Sequence, residues 1–234
     1  APTETSWATS ALPSPSPLLE STPIVEPSPT PFLPILAGAP LPLFLVALSP
    51  ENAGRLASLA LWSSRAEVSQ IAYSPDGRTL AVGTYSGIEI LDSQTGVHLA
   101  AWPAPAWSLA FSPDGDVLAS GGWDQNRNTV RLWDINNMSE LMTLSTKAFF
   151  VFSVAFSPDG RYLASGGCAD GRADVAKNAI YCNNSGLVEL WDAGTGAKLR
   201  EFTGHRQSVY SVAFSPDGKT LASAGGDSMI KIWD

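Results

Sequence analysis

The chain is short of positive charge, histidine and cysteine, and each shortage excludes something. No Lys or Arg precedes Arg55. The first residues thus lack the basic n-region of a secretory signal, leaving a cytoplasmic chain or one that begins after processing. Over all 234 residues, 14 basic side chains stand against 22 acidic ones, a formal charge of −8. Nucleic acid and anionic membrane both demand a basic patch, so neither is expected as the principal partner. With two Cys, both inside one insert, and few His, a zinc centre is not expected. No Gly-x-Ser-x-Gly elbow or metal-binding His pair occurs, and the isolated His98 leaves no base for a hydrolytic triad. The "DGRAD" at 170–174 lacks the acidic alternation and closing Glu of a calcium loop. No catalysis, cofactor or metal is expected. An unbroken apolar run is also missing. Phe32–Leu48 is uncharged, but Pro34, Gly38, Pro40 and Pro42 interrupt it, so a spanning helix is not expected there.

Proline is abundant and unevenly placed. Twelve of 18 prolines lie in the first 50 residues. The Pro/Ser/Thr-rich stretch 1–50 has too little packable apolar surface to offset the entropy of ordering, and is expected to be a disordered linker with polyproline II character. Residues 51–234 form one domain's worth of chain.

That domain repeats. The string SPDG occurs at 74–77, 112–115, 157–160 and 215–218, separated by 38, 45 and 58 residues. An apolar alternation precedes each copy ("VSQIAY", "AWSLAF", "VFSVAF", "VYSVAF"). A small-residue strand follows ("RTLAVG", "DVLASG", "RYLASG", "KTLASA"), and then a third strand ("IEILD", "VRLWD", "VELWD", "IKIWD"). Ser, Pro and Gly at the first, second and fourth positions suit a type I turn between antiparallel strands. The period-two, β-branched flanks read as strands. A weaker fourth strand follows each unit, as in "AGTGAKLREF". Four short antiparallel strands per repeat predict an all-β fold, a β-propeller of four-stranded blades.

The string "GHRQSVYSVAFSPDGKTLASAGGDSMIKIWD", 204–234, resembles a nearly complete WD-repeat blade. The resemblance extends over about 51–234 and is taken to be of the bacterial type. It implies four WD-repeat blades near 66–102, 103–146, 147–203 and 204–234, with 51–64 as a closing outer strand; the strand count suits a closed ring of four, and membership of a longer ring is the preferred expectation. It also implies a structural hydrogen-bond network of His205, Ser223, Asp227 and Trp233 in the last blade. The other blades depart from it. Their His position holds Ser64, Trp102 and Lys147. Ser120 with Trp133, and Ser165 with Trp191, are kept; Asp124 matches and Asp170 is a poor match. The first blade has Leu91 in place of Trp.

The third unit is broken open between its second and third strands, and both cysteines, Cys168 and Cys182, lie in the break. A disulfide there would close a loop of about 15 residues and contribute roughly 3 kcal/mol; two inert free thiols are the alternative. With the Pro/Ser/Thr spacer, it places the chain in an oxidising setting, extracellular or at the cell surface, rather than the cytoplasm. A smaller insert, Asn126–Asn128, extends the same face. The family commonly binds partners on this top face, implying contact positions at Ser69, Trp107, Phe152 and Tyr210, with Trp123 beside them. The insert's Arg172, Lys177 and Tyr181 would join them, because Trp, Tyr and Arg are enriched in binding hot spots; packing between blades is the competing role for the rings. The expectation is a non-catalytic interaction scaffold for a protein or peptide. The alternative is the regulatory or sensor domain of a larger signalling enzyme whose catalytic part lies outside this chain.

Overall fold

The computed structural model describes residues 50, 64, 66–123, 129–174, 179–182 and 185–234. Every described residue belongs to the unit Ile35–Asp234. The linker at 1–49, the apolar segment Phe32–Leu48, the closing strand at 51–63, Asp124, Asn126–Asn128 and Lys177 lie outside the described residues.

Among the described residues there is no helix. Four antiparallel sheets form the blades of a β-propeller. Blade 1 runs β1 (Val68–Tyr73), β2 (Thr79–Thr84), β3 (Ile88–Asp92) and β4 (His98–Trp102). Blade 2 runs β5 (Ser108–Phe111), β6 (Val117–Gly121), β7 (Thr129–Asp134) and β8 (Ser139–Ser145). Blade 3 consists of β9 (Phe150–Phe156), β10 (Tyr162–Cys168), β13 (Gly186–Asp192) and β14 (Lys198–His205). Its insert carries a separate two-stranded sheet, β11 (Gly171–Asp174) and β12 (Ala179–Cys182). Blade 4 has β15 (Val209–Phe214), β16 (Leu221–Gly225) and β17 (Ile230–Trp233).

Each SPDG turn is built alike. In the first, the Gly77 N–H donates to the Ser74 carbonyl at 2.9 Å. The Ser74 hydroxyl donates to Asp76 Oδ1 at 2.7 Å and accepts from the Thr79 N–H at 2.9 Å. Gly77 has φ of 72°, a conformation that glycine adopts without steric cost. The same Ser–Asp bond recurs at Ser112–Asp114, Ser157–Asp159 and Ser215–Asp217. In all four turns the Ser hydroxyl first, then a backbone N–H two residues on, holds the Asp carboxyl below its ordinary value. The repeated string is therefore a self-contained polar clasp, and its serines are occupied by structure.

Neighbouring blades meet through one repeated joint. The second and third strands of each blade press against the first strand of the next. Ala81, Ile88 and Ile90 share a core with Ala106 and Leu109. Ala119, Val130 and Leu132 share one with Val151 and Val154, and Ala164 and Val188 share one with Val209 and Val212. Small residues on the second strand permit this approach. A Cβ added at Gly121 would lie 2.5 Å from Val151 Cγ1, and one at Gly166 would lie 2.8 Å from Val209 Cγ1.

A polar bond repeats beside the apolar contact. The Leu109 N–H donates to Gln70 Oε1 at 2.8 Å, Val154 N–H to Ser108 Oγ at 3.0 Å, and Val212 N–H to Ser153 Oγ at 3.1 Å.

Candidate functional site

One end of the propeller is where first strands begin and second strands finish. Here β1 pairs Val68 with Thr84 but Gln70 with Gly83, so Ser69 is an extra, bulged residue. The same skip falls on Phe152 in blade 3 and Tyr210 in blade 4. A bulge leaves one residue out of the ladder and re-aims its side chain. In blades 3 and 4 the irregularity brings Phe152 and Tyr210 to this end of the propeller.

The result is a run of aromatic rings across four blades. Tyr85 meets Trp107 edge-on, with centroids 5.0 Å apart. Trp107 lies 5.1 Å from Phe150 and 6.4 Å from Phe152. Phe152 continues to Tyr210 at 5.2 Å. Phe150 is buried, Trp107 and Phe152 are half-buried, and the terminal rings are open, Tyr85 at 41% and Tyr210 at 57% exposure. Edge-to-face geometry satisfies the ring quadrupoles, and leaves an apolar strip with a hydroxyl at either end. Burial raises the Tyr85 hydroxyl above its ordinary pKa, with the Glu67 carboxylate adding to the shift, so it remains a neutral donor.

Trp107, Phe152 and Tyr210 are brought together. Ser69 does not join them: its hydroxyl turns inward, donating to the Gly83 and Ala106 carbonyls at 2.9 and 2.5 Å. Tyr85 and Phe150 complete the strip instead, and the sequence reading missed both. A signal for Tyr85 existed, because in "LAVGTY" it occupies the position of Trp123 in "LASGGW". Trp123 is half-buried and belongs to a separate pair with Phe149, 6.5 Å away.

Phe149 also links the insert to this end. A Cβ at Gly171, the first residue of β11, would collide with the Phe149 ring, so the root of the hairpin lies directly on it. Arg172 pairs with Tyr181 across the hairpin ladder. The sequence reading anticipated a loop here and not this short ladder. Gly and Asp at the ends of "GRAD" are poor strand formers, and the ladder rests on pairing with the more β-prone "AIYC". Cys168, at the end of β10, is fully buried and disulfide-bonded.

The network residues of blade 4 form a continuous chain. Trp233 Nε1–H donates to Ser223 Oγ at 2.9 Å, and Ser223 Oγ lies 2.8 Å from His205 Nε2. His205 Nδ1 is 3.0 and 3.1 Å from the two Asp227 oxygens. The Arg206 backbone N–H, followed by the His205 side chain, lowers Asp227 to about 2. An ionised Asp227 makes Nδ1 the protonated nitrogen, which leaves Nε2 to accept from Ser223.

Among its described residues, blade 2 keeps the Trp133-to-Ser120 bond at 2.9 Å. Trp102, at its His position, stacks on Trp133 with centroids 4.5 Å apart and planes 10° from parallel. Blade 3 keeps the Trp191-to-Ser165 bond at 3.1 Å, while Lys147 Nζ points to Glu201 at 2.9 Å. Its buried Glu189 takes Lys198 Nζ at 2.8 Å and the Thr146 hydroxyl. In blade 1, Ser64 donates to Glu89 at 3.3 Å, and His98 also lies 3.8 Å from Glu89.

The fold is a repeat-built propeller with a polar clasp in each blade. The WD domain, G-beta repeat family model matches residues 96–134, 138–173 and 196–234, so these segments of the chain are WD repeats. Blade 1, with Val82 and Leu91 in place of Ser and Trp, contributes only its last strand to those matches. WD repeat-containing protein SL1-17 of Schistosoma mansoni is 32% identical over 132 residues, 56% of this chain and 37% of that protein. Apoptotic protease-activating factor 1 of Mus musculus is 28% identical over 165 residues, 53% of this chain and 13% of that protein. Transcription initiation factor TFIID subunit 5 of Caenorhabditis elegans is 28% identical over 171 residues, 62% of this chain and 26% of that protein. The chain spans between 13% and 37% of the length of these relatives. All three are eukaryotic, so the bacterial-type expectation is without support.

Proposed function

We propose that the chain is a non-catalytic protein-interaction scaffold that holds a protein or peptide segment across the aromatic strip. Propellers of this family are generally non-catalytic and serve as interaction scaffolds, which fits a protein partner. The observation that carries the reading is the strip Tyr85–Trp107–Phe152–Tyr210. Its rings are rigid and partly exposed, with polar tips at both ends. Such rings offer large contact area at low entropy cost, and Trp and Tyr dominate binding hot spots. The insert is rooted at this end through Phe149, and its sequence offers Arg172, Lys177 and Tyr181 as further contact residues of the proposed site. A Cys168–Cys182 pairing fits an extracellular or cell-surface location.

A second reading makes the propeller the regulatory domain of a larger signalling enzyme. It draws on the small fraction of Apoptotic protease-activating factor 1 that the similarity covers.

The test is selection of peptides from a displayed random library on the full chain. Selected peptides should lose at least tenfold in affinity for Trp107→Ser and Tyr210→Ser, about 1.4 kcal/mol or more. Peptides that bind the Trp107→Ser/Phe152→Ser/Tyr210→Ser protein equally well would move the site elsewhere.

A further inference from the structure

The aromatic strip has a polarity that narrows what can lie on it. Trp107 and Phe152 belong to blades packed against a described neighbour on either side, so the open part of each ring belongs to the end of the propeller. The rings Tyr85, Trp107, Phe152 and Tyr210 carry three polar groups, two phenolic hydroxyls and one indole N–H. The indoles of Trp102, Trp133, Trp191 and Trp233 each donate to an oxygen of the fold. Among the described residues, the Trp107 N–H and the two hydroxyls have no such partner. An indole N–H can only donate, and a tyrosyl hydroxyl always has one hydrogen to give. The strip is thus an apolar surface set with three open donors.

Its rings come from four separate sheets, so the strip presents no continuous strand edge on which a peptide could extend a ladder. An ordinary extended peptide would bring one N–H per residue to rings that chiefly donate, and unpaired polar groups cost binding. Proline brings none: its nitrogen carries no hydrogen, its carbonyl only accepts, and its ring is apolar. The spacing agrees. Neighbouring rings lie 5.0, 6.4 and 5.2 Å apart along the strip, and two residues of polyproline II advance about 6 Å. Beside Tyr85 stands the exposed Glu67, whose carboxylate acts on the Tyr85 hydroxyl. Glu67 has no ion-pair partner among the described residues.

We propose that the strip takes a proline-rich segment of a partner protein in the polyproline II conformation, about six residues long, with a basic residue at its Tyr85 end. The proposal rests on the reading of the strip as a binding site and adds the chemistry of its ligand. Proline rings pack against the aromatic faces, as in other aromatic-lined surfaces that receive such segments. Carbonyls of the segment accept from the Trp107 N–H and the two tyrosyl hydroxyls, which turns the three open donors into fixed points. The Glu67 carboxylate meets the Lys or Arg that flanks the prolines. A segment already in the polyproline II conformation loses little entropy on binding, which suits a contact built on four rings.

The experiment is fluorescence anisotropy of labelled peptides on the full chain: hexaproline with one flanking arginine, hexaproline without it, and the arginine peptide with alanine for every proline. The arginine–proline peptide should bind at least about tenfold more tightly than its alanine counterpart. Tyr85→Ser, at an exposed position, should weaken it about tenfold. Trp107→Phe keeps a ring but removes the N–H, and should weaken it about fivefold. Glu67→Gln should weaken only the arginine-bearing peptide, about two- to fivefold. Leu99→Ser, exposed on β4 and outside the strip, should change nothing. Equal affinity for the alanine peptide would overturn the proposal, as would a proline peptide indifferent to both ring substitutions. An equal loss of both proline peptides with Glu67→Gln would overturn the basic flank. The underlying reading fails differently. Library peptides that require Trp107 and Tyr210 but lack proline would keep the strip as a binding site and overturn its proline ligand, whereas peptides indifferent to the strip would overturn both.

Discussion

Blades 1 and 4 have the same three-strand core path and opposite internal chemistry. Blade 4 threads Trp233, Ser223, His205 and Asp227 into one hydrogen-bonded line. Blade 1 has Val82 and Leu91 at the Ser and Trp positions, and these close with Leu80 into a small dry cluster. The backbone ladder is nonetheless equivalent, Leu80 opposite Leu91 and Leu221 opposite Trp233. The polar network is one way of filling the space between the second and third strands, and aliphatic side chains of suitable size are another. This agrees with the finding that replacing buried ionic groups by well-packed apolar side chains of similar volume is often neutral or stabilising. Blade 2 stands between them: it keeps the Trp–Ser bond and substitutes a stacked indole, Trp102, for the imidazole.

The largest break in this comparison is expected from Trp133→Ala, which removes a buried indole, its stacking on Trp102 and its bond to Ser120. The expected loss is about 3–5 kcal/mol in a urea unfolding curve. Retention of wild-type stability would show that Trp102 alone can fill the site.

Next comes Ser223→Ala, which strands two partners, the Trp233 N–H and the His205 ring. It should cost about 2–3 kcal/mol, against about 1 kcal/mol for Ser120→Ala, which strands only Trp133. Equal losses would mean that the His205 link adds nothing.

The converse substitution sharpens the same point. Val82→Ser puts a hydroxyl into the dry cluster with no indole to meet it, and should destabilise by about 1–3 kcal/mol. The companion change Leu91→Trp should recover part of that loss if the bond re-forms.

The smallest effect is seen in the pH profile. Asp227 is held at about 2, below its ordinary 3.8. Its folded-state pKa is depressed, so its stabilisation is complete above the ordinary carboxylate range and is lost as the pH falls from about 4 toward 2. The four turn aspartates shift in the same direction. Thermal midpoints measured between pH 5 and pH 2 should fall less steeply for Asp227→Asn than for the unsubstituted chain. Parallel curves would assign the acid sensitivity to the other lowered carboxylates, the four turn aspartates together with Asp92, Asp134 and Asp192.

Much of this was legible in the linear chain. The SPDG strings and the "LAS" and "WD" strands are local patterns whose physics is completed within a few residues, so turns and ladders follow from them directly. The residues of the aromatic strip were only partly legible. Trp107, Phe152 and Tyr210 share a repeat position, but that position also held Ser69, whose hydroxyl found two carbonyls and turned inward. Tyr85 was overlooked because it lies in a turn, where no alternation marks the direction of a side chain. The hairpin in the third blade's insert was hidden because its strands are short and gain stability mainly by pairing with each other.

The sequence by itself determined the repeat, the turn chemistry and the type of strand, since each is settled by contacts close along the chain. The tertiary structure alone decided which way the bulged residues point, which glycines must stay bare for the next blade, and which apolar faces remain uncovered. Those outcomes depend on residues brought together from different repeats. Ile88 and Ile230 hold equivalent places in nearly identical strings, but one is fully covered and the other 76% exposed. Ile88 is covered by Ala106 and Leu109 of the neighbouring blade, residues about twenty positions away in the sequence.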